Sequence, residues 1–199
     1  MSEAVDSQQQ QQQSKSRRTL LLVAAVCIAP FIGSFLLYYF WQPSGRVNYG
    51  ELIEGAVLPA PALPRADAGD AVDLNKLRGK WLFVVADAGA CDDYCNKKLW
   101  QVRQVRMTQG KHLDRIERLW LLTDDALVAD KLRKDYEGMH FVRAGDHAVL
   151  KALPVKGALV DHIWLVDPLG NIILRYPRDA NPSKMKKDLE RVLKVSRIG

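Results

Sequence analysis

Cys91 and Cys95 are the residues of this 199-residue chain best placed for chemistry. They form a Cys-x-x-x-Cys array between an apolar run, Trp81-Leu-Phe-Val-Val-Ala86, and a helix-like segment that opens near Asn96. Two thiols where a strand gives way to a helix serve redox exchange or soft-metal binding, because the first helical turn offers free N–H groups and a positive dipole end to a thiolate. A four-residue helical step separates two Cα atoms by about 6 Å along the axis, within reach of a disulfide or of one shared ion. Asp92 and Asp93 lie between the thiols and have two readings. Their charge raises thiol pKa values and favours a bound cation, or one of them simply caps the helix.

The N-terminal third decides where this pair works. Thr19 to Trp41 carries no charged residue, and about 20 such residues cross a bilayer core. Lys15, Arg17 and Arg18 precede the run, and Tyr38, Tyr39 and Trp41 close it like an interfacial belt. The run exceeds the apolar core of a cleaved signal peptide. The expectation is a single-pass anchor at 19–41 with a cytoplasmic N-terminus, in the inner membrane if the chain is bacterial, so that the C-terminal domain is periplasmic. Cys27 falls mid-span and reads as an inert thiol. Residues 1–18, with the tract Gln8–Gln13, read as a disordered tail, and 42–70, with Pro43, Pro59, Pro61 and Pro64, as an extended linker. The globular domain is expected over 71–199. Its basic excess is mild, 29 Lys+Arg against 23 Asp+Glu, and no basic block argues for nucleic acid.

The elements that must position the thiols alternate. Trp81–Ala86 reads as a strand covered on both faces, followed by a helix with Leu99, Val102 and Val105 on one side. Leu119–Leu122 reads as a second central strand, Ala126–Tyr136 as a helix, Met139–Val142 as a short strand and Asp146–Leu153 as a short helix. Ile163–Val166 and Ile172–Tyr176 flank Asp167-Pro-Leu-Gly-Asn171, a hairpin signal, and Ser183–Val195 closes the chain as an amphipathic helix. This is an α/β fold, a central mixed sheet flanked by helices.

That order, with a two-cysteine turn opening a long helix and a late Asp-Pro-x-Gly hairpin, resembles a thioredoxin-like fold. Leu74-Asn-Lys-Leu-Arg-Gly-Lys-Trp81, Cys91-x-x-x-Cys95, and Val160-Asp-His162 ahead of Leu165-Val-Asp-Pro-Leu-Gly170 make the chain similar to the Sco/SenC family over roughly 72–195. The resemblance implies a membrane-anchored copper protein that helps assemble the copper centre of cytochrome c oxidase, with an oxidase subunit or another copper chaperone as partner. It further implies Cys91, Cys95 and His162 as copper ligands, a donor set that suits both copper oxidation states. His162 stands about three residues nearer the hairpin than the family's histidine, and an odd shift along a strand reverses the face of a side chain. Two places therefore stay open for it: within reach of the sulfurs, or hydrogen-bonded at a strand start. Asp161 is a candidate to orient it, and His112, His140 and His147 read as surface residues. Two functions compete with the copper reading. One is a metal-free, membrane-tethered thiol–disulfide oxidoreductase; the other is an assembly scaffold with a static Cys91–Cys95 disulfide.

Overall fold

The computed structural model describes residues 2–40, 48–66, 69–196 and 198, with side chains from Arg17 onward. The chain forms two compact units, divided after Arg46.

The first unit is one helix, α1 (Ser2–Phe40). Its segment Arg17–Phe40 is long and apolar enough to cross a membrane, and Leu20, Phe31, Phe35 and Phe40 stand exposed along it. Pro30 lies inside the helix, which membrane-spanning helices tolerate. The helix also takes in residues 2–18, against the expectation of a disordered tail. Gln, Ala, Glu and Lys are good helix formers, and extending a helix costs far less than nucleating one. Trp41, the expected end of the span, and 42–47 of the expected linker lie outside the described residues.

The second unit is built on a six-stranded sheet in the order β1-β8-β7-β4-β5-β6. Its strands are β1 (Glu51–Leu52), β4 (Trp81–Asp87), β5 (Ile116–Leu122), β6 (His140–Arg143), β7 (Ile163–Val166) and β8 (Ile172–Tyr176). β4, β5 and β6 run parallel, while β7 is antiparallel to both β4 and β8. All seven residues of β4 are buried. Successive strand side chains face opposite ways, so Phe83 and Val85 join one core, with α2 (Asp93–Met107) and α5 (Pro182–Val195), and Leu82, Val84 and Ala86 join the other. Two covered faces explain why β4 reads as an unbroken apolar run. The hairpin strands match expectation, whereas α3 (Asp130–Asp135) and α4 (Ala148–Lys151) are shorter than read.

The expected linker is instead part of the domain. β1 pairs with β8 along one sheet edge, extended by the contacts Ile53 N to Ile173 O and Leu58 N to Gly170 O, both 2.9 Å. The chain then crosses one face through β2 (Ala62–Leu63), which pairs with β3 (Val72–Asp73), and reaches the other edge. There Arg143 N donates to Pro64 O and Ala66 N to Phe141 O, both at 2.9 Å. One strap thus covers both edges, which would otherwise present unpaired backbone. Proline-rich composition signalled extended backbone, but not that sheet edges would capture it.

Asp188 on α5 holds the start of this strap. Its carboxylate, 1% exposed, accepts from the N–H groups of Tyr49 (3.0 Å) and Gly50 (2.8 Å). Asp188→Ala leaves those donors without a buried acceptor and is expected to destabilise the protein by about 2–4 kcal/mol, read as a lower urea midpoint. A partly buried charge sets an acid limit. Glu117 meets Lys80 at 2.9 Å and His140 at 3.6 Å, and these contacts, His140 first, lower its carboxyl from 4.5 to about 2. The folded value lies below the unfolded one, so this stabilisation is complete above about pH 4.5 and is lost as pH falls toward 2. It amounts to about 1–3 kcal/mol, with half-exposed Lys80 discounted. Glu117→Gln is expected to flatten that part of the stability profile measured by urea unfolding from pH 6 to pH 2.5.

Candidate functional site

β4 ends at Asp87, and four residues later the chain reaches Cys91, bonded to Cys95 in a disulfide with a Cα–Cα distance of 5.3 Å. α2 begins between them. Asp92 is its N-cap, accepting from Cys95 N at 2.7 Å, and Asp93 occupies the first turn. Of the two readings for these acids, capping is therefore observed for Asp92. Cys95 is fully buried and Cys91 only partly, so an incoming thiol meets Cys91 first.

The loop between strand and helix is held by close packing. Gly89 N donates to Asp124 Oδ1 at 2.8 Å, and a Cβ on Gly89 would lie 2.3 Å from Ala126 O, so only glycine lets the loop after β5 approach. One turn along α2 from Cys95 lies a buried ion pair that sequence reasoning missed. Lys98 Nζ, on a side chain 1% exposed, meets Asp87 Oδ2 at 2.6 Å and also donates to Val160 O. Lys98 is one turn beyond Cys95 on α2, and its ammonium lies 5.1 Å from the centre of the Tyr94 ring. Burial pulls Lys98 below the usual lysine range, with Asp87 acting in the opposite sense. A signal existed: a lysine between Cys95 and Val102 in the apolar stripe of α2, and an aspartate ending an otherwise apolar strand.

A short 3-10 turn, Leu159–Asp161, walls the site. Tyr94 OH donates to Asp161 O at 3.2 Å, and Arg178 pairs with the Asp161 carboxylate at 2.8 Å while stacking 4.7 Å from the Tyr94 ring centre. Asp161 is thus committed to Arg178 rather than to orienting His162. His162 itself is 6% exposed. Its Nδ1 lies 3.1 Å from Tyr176 O, and its Nε2 lies 2.9 Å from Lys156 O and 3.2 Å from Lys156 N. Of the three expected ligands, the structure brings the two cysteines together and gives His162 backbone partners at both ring nitrogens. Among the described residues, no three His, Cys, Asp or Glu side chains gather as a metal site. As arranged, Cys91, Cys95 and His162 do not fit a shared copper ion. The remaining histidines are half-buried, with His147 capping α4 through Nδ1 and His140 facing Glu117.

No curated protein sequence matches the chain. Among solved structures, yeast Sco1 with copper bound is similar at 16% identity and TM-score 0.60, covering 72% of this chain and 96% of that one. Bradyrhizobium japonicum ScoI with copper bound is similar at 20% identity and TM-score 0.52, covering 68% and 99%. The thioredoxin domain of a Bacteroides vulgatus thiol-disulfide oxidoreductase is similar at 22% identity and TM-score 0.54, covering 71% and 99%. At these identities the likeness concerns the fold. The family model described as transmembrane-like, thioredoxin-like, C-terminal domain matches residues 81–196, and the chain belongs to that family.

Proposed function

We propose that this protein is a membrane-anchored, Sco-type thiol–disulfide exchange protein that assists cytochrome c oxidase assembly by reducing cysteines at a copper site. The observation that carries the exchange reading is the Cys91–Cys95 disulfide at the start of α2, half-open at Cys91, with the buried Lys98–Asp87 pair one turn further along. The apolar helix supports membrane anchoring, which in a bacterium would be in the inner membrane with the domain in the periplasm. The Sco-like fold of the neighbours supports the choice of a copper-site partner, an oxidase subunit or another copper chaperone.

The exchange balances as follows. In the reduced protein the Cys91 thiolate attacks one sulfur of a partner disulfide, and the partner's other sulfur leaves as a thiolate and takes a proton. Cys95 then gives up its proton toward the Asp87–Lys98 pair and attacks Cys91 Sγ. This releases the second partner thiol and leaves the Cys91–Cys95 disulfide observed here. Two electrons pass to the partner, and a thiol reductant restores the dithiol. Copper delivery is the second reading, favoured by the copper-bound Sco neighbours. In this chain it would rest on the two thiolates, which suit Cu(I).

Thiol-buffer titration of the full chain in detergent is expected to give an exchangeable disulfide, with a potential between about −270 and −180 mV. With an oxidised copper-site domain as substrate, Cys95→Ser should accumulate a mixed disulfide and Cys91→Ser none. A potential below about −300 mV would identify a structural bond and sink the exchange reading. Lys98→Met strands Asp87 and is expected to cost about 3–5 kcal/mol, read by urea unfolding. Adding Asp87→Leu should restore stability but not the rate of exchange with dithiothreitol, because no buried group then takes the Cys95 proton.

A further inference from the structure

We infer that His162 is a positioning residue of the dithiol site and not a metal ligand: its imidazole latches the 154–157 loop to the end of β8, holding the Val160 and Asp161 carbonyls against Lys98 and Tyr94. This deepens the exchange reading and rests on it.

The latch has two ends. Nδ1 lies 3.1 Å from Tyr176 O, and Nε2 lies 2.9 Å from Lys156 O and 3.2 Å from Lys156 N. Trp164, two residues along β7, adds a parallel tie by donating from Nε1 to Pro154 O at 2.9 Å, and its indole packs edge-on to the imidazole at 5.8 Å. Both ends of the Pro154–Lys156 stretch are therefore fastened to the segment His162–Trp164 at the start of β7. A ring turned toward the sulfurs would abandon these partners, leaving buried backbone groups unsatisfied.

What the latch holds is the wall of the site. The 3-10 turn runs directly into His162, through Asp161 N to Ala158 O at 3.1 Å and His162 N to Leu159 O at 3.4 Å. That turn supplies the Val160 carbonyl that receives Lys98 Nζ and the Asp161 carbonyl that receives Tyr94 OH. Lys98 Nζ is held by the Asp87 carboxylate at 2.6 Å and by the Val160 carbonyl, so the position of that carbonyl helps fix where the ammonium sits. The unbroken series runs from the ring, through the turn, to the ion pair one turn along α2 from Cys95.

The test uses the full chain in detergent with His162→Ala and His162→Asn. Asn keeps an amide N–H for Tyr176 O but is a poor copper ligand. Expected for His162→Ala is a change of about threefold or more in the exchange constant with dithiothreitol and in the rate of Cys91 alkylation, substantially reversed in His162→Asn. Reduced wild type and His162→Ala should bind Cu(I) alike or not at all, and X-ray absorption of any Cu(I)-loaded wild type should show sulfur scatterers without nitrogen. Copper–nitrogen scattering near 2.0 Å that vanishes in His162→Ala would overturn the inference, as would unchanged thiol chemistry in that variant. If no thiol buffer opens the wild-type disulfide, the exchange reading fails by itself. The latch is then read from amide hydrogen exchange at residues 156–162, expected to be faster in His162→Ala, with unchanged protection counting against it.

Discussion

β4 constrains everything around it. It hydrogen-bonds to β5 on one side and β7 on the other, and both of its faces are packed. A strand held in four directions cannot slip, since a shift of one residue would exchange the side chains of the two cores. Its last residue, Asp87, is therefore a fixed point. The short loop to Cys91 and the first turn of α2 inherit that precision, because Leu99, Val102 and Val105 anchor the helix to the same core. The disulfide is set by packing on a rigid layer, and the loop only joins the two parts.

The same rigidity makes buried charge bearable. An ammonium and a carboxylate gain little net stability when both leave water, because desolvation offsets their attraction. The Lys98–Asp87 pair is thus poorly explained as a stabilising contact, and its place one turn along α2 from Cys95 fits the exchange role proposed for it. Asp188 differs. Its oxygens are filled by the backbone N–H groups of Tyr49 and Gly50, with Arg191 3.7 Å away at the surface. That carboxylate organises the strap, and the strap protects both sheet edges. The first is assigned to reactivity by the exchange proposal and the second carries architecture, although each is a buried acid next to a cation.

Local pattern accounts for much of what was legible. The apolar run of β4, the periodicity of α2 and α5 and the Asp-Pro-Leu-Gly hairpin are short-range signals, and their elements appear close to where they were read. α3 and α4 shrank because helix-compatible residues near Ala126 and Asp146 are drawn into turns, with Asp124 accepting from Ala126 N and His147 capping at Val149 N. Residues 48–66 were misjudged for a different reason. Their bonds to the sheet edges and to α5 join residues far apart in sequence, from Ala66 and Phe141 to Tyr49 and Asp188, and no short window along the chain contains both ends.

The site divides along the same line. Residue type and spacing alone determined that Cys91 and Cys95 could bond, that an acid between them could cap a helix, and that an apolar segment stood ahead of the domain, since each property depends only on near neighbours in the chain. Tertiary structure alone decided that Lys98 meets Asp87, that the strap belongs to the sheet, and that His162 faces the carbonyls of Tyr176 and Lys156. The physical reason is that a side chain's direction at a strand start, and the partner of a buried charge, are chosen by packing between elements distant in sequence. In this fold that packing gave the histidine to the backbone and left the two cysteines to each other.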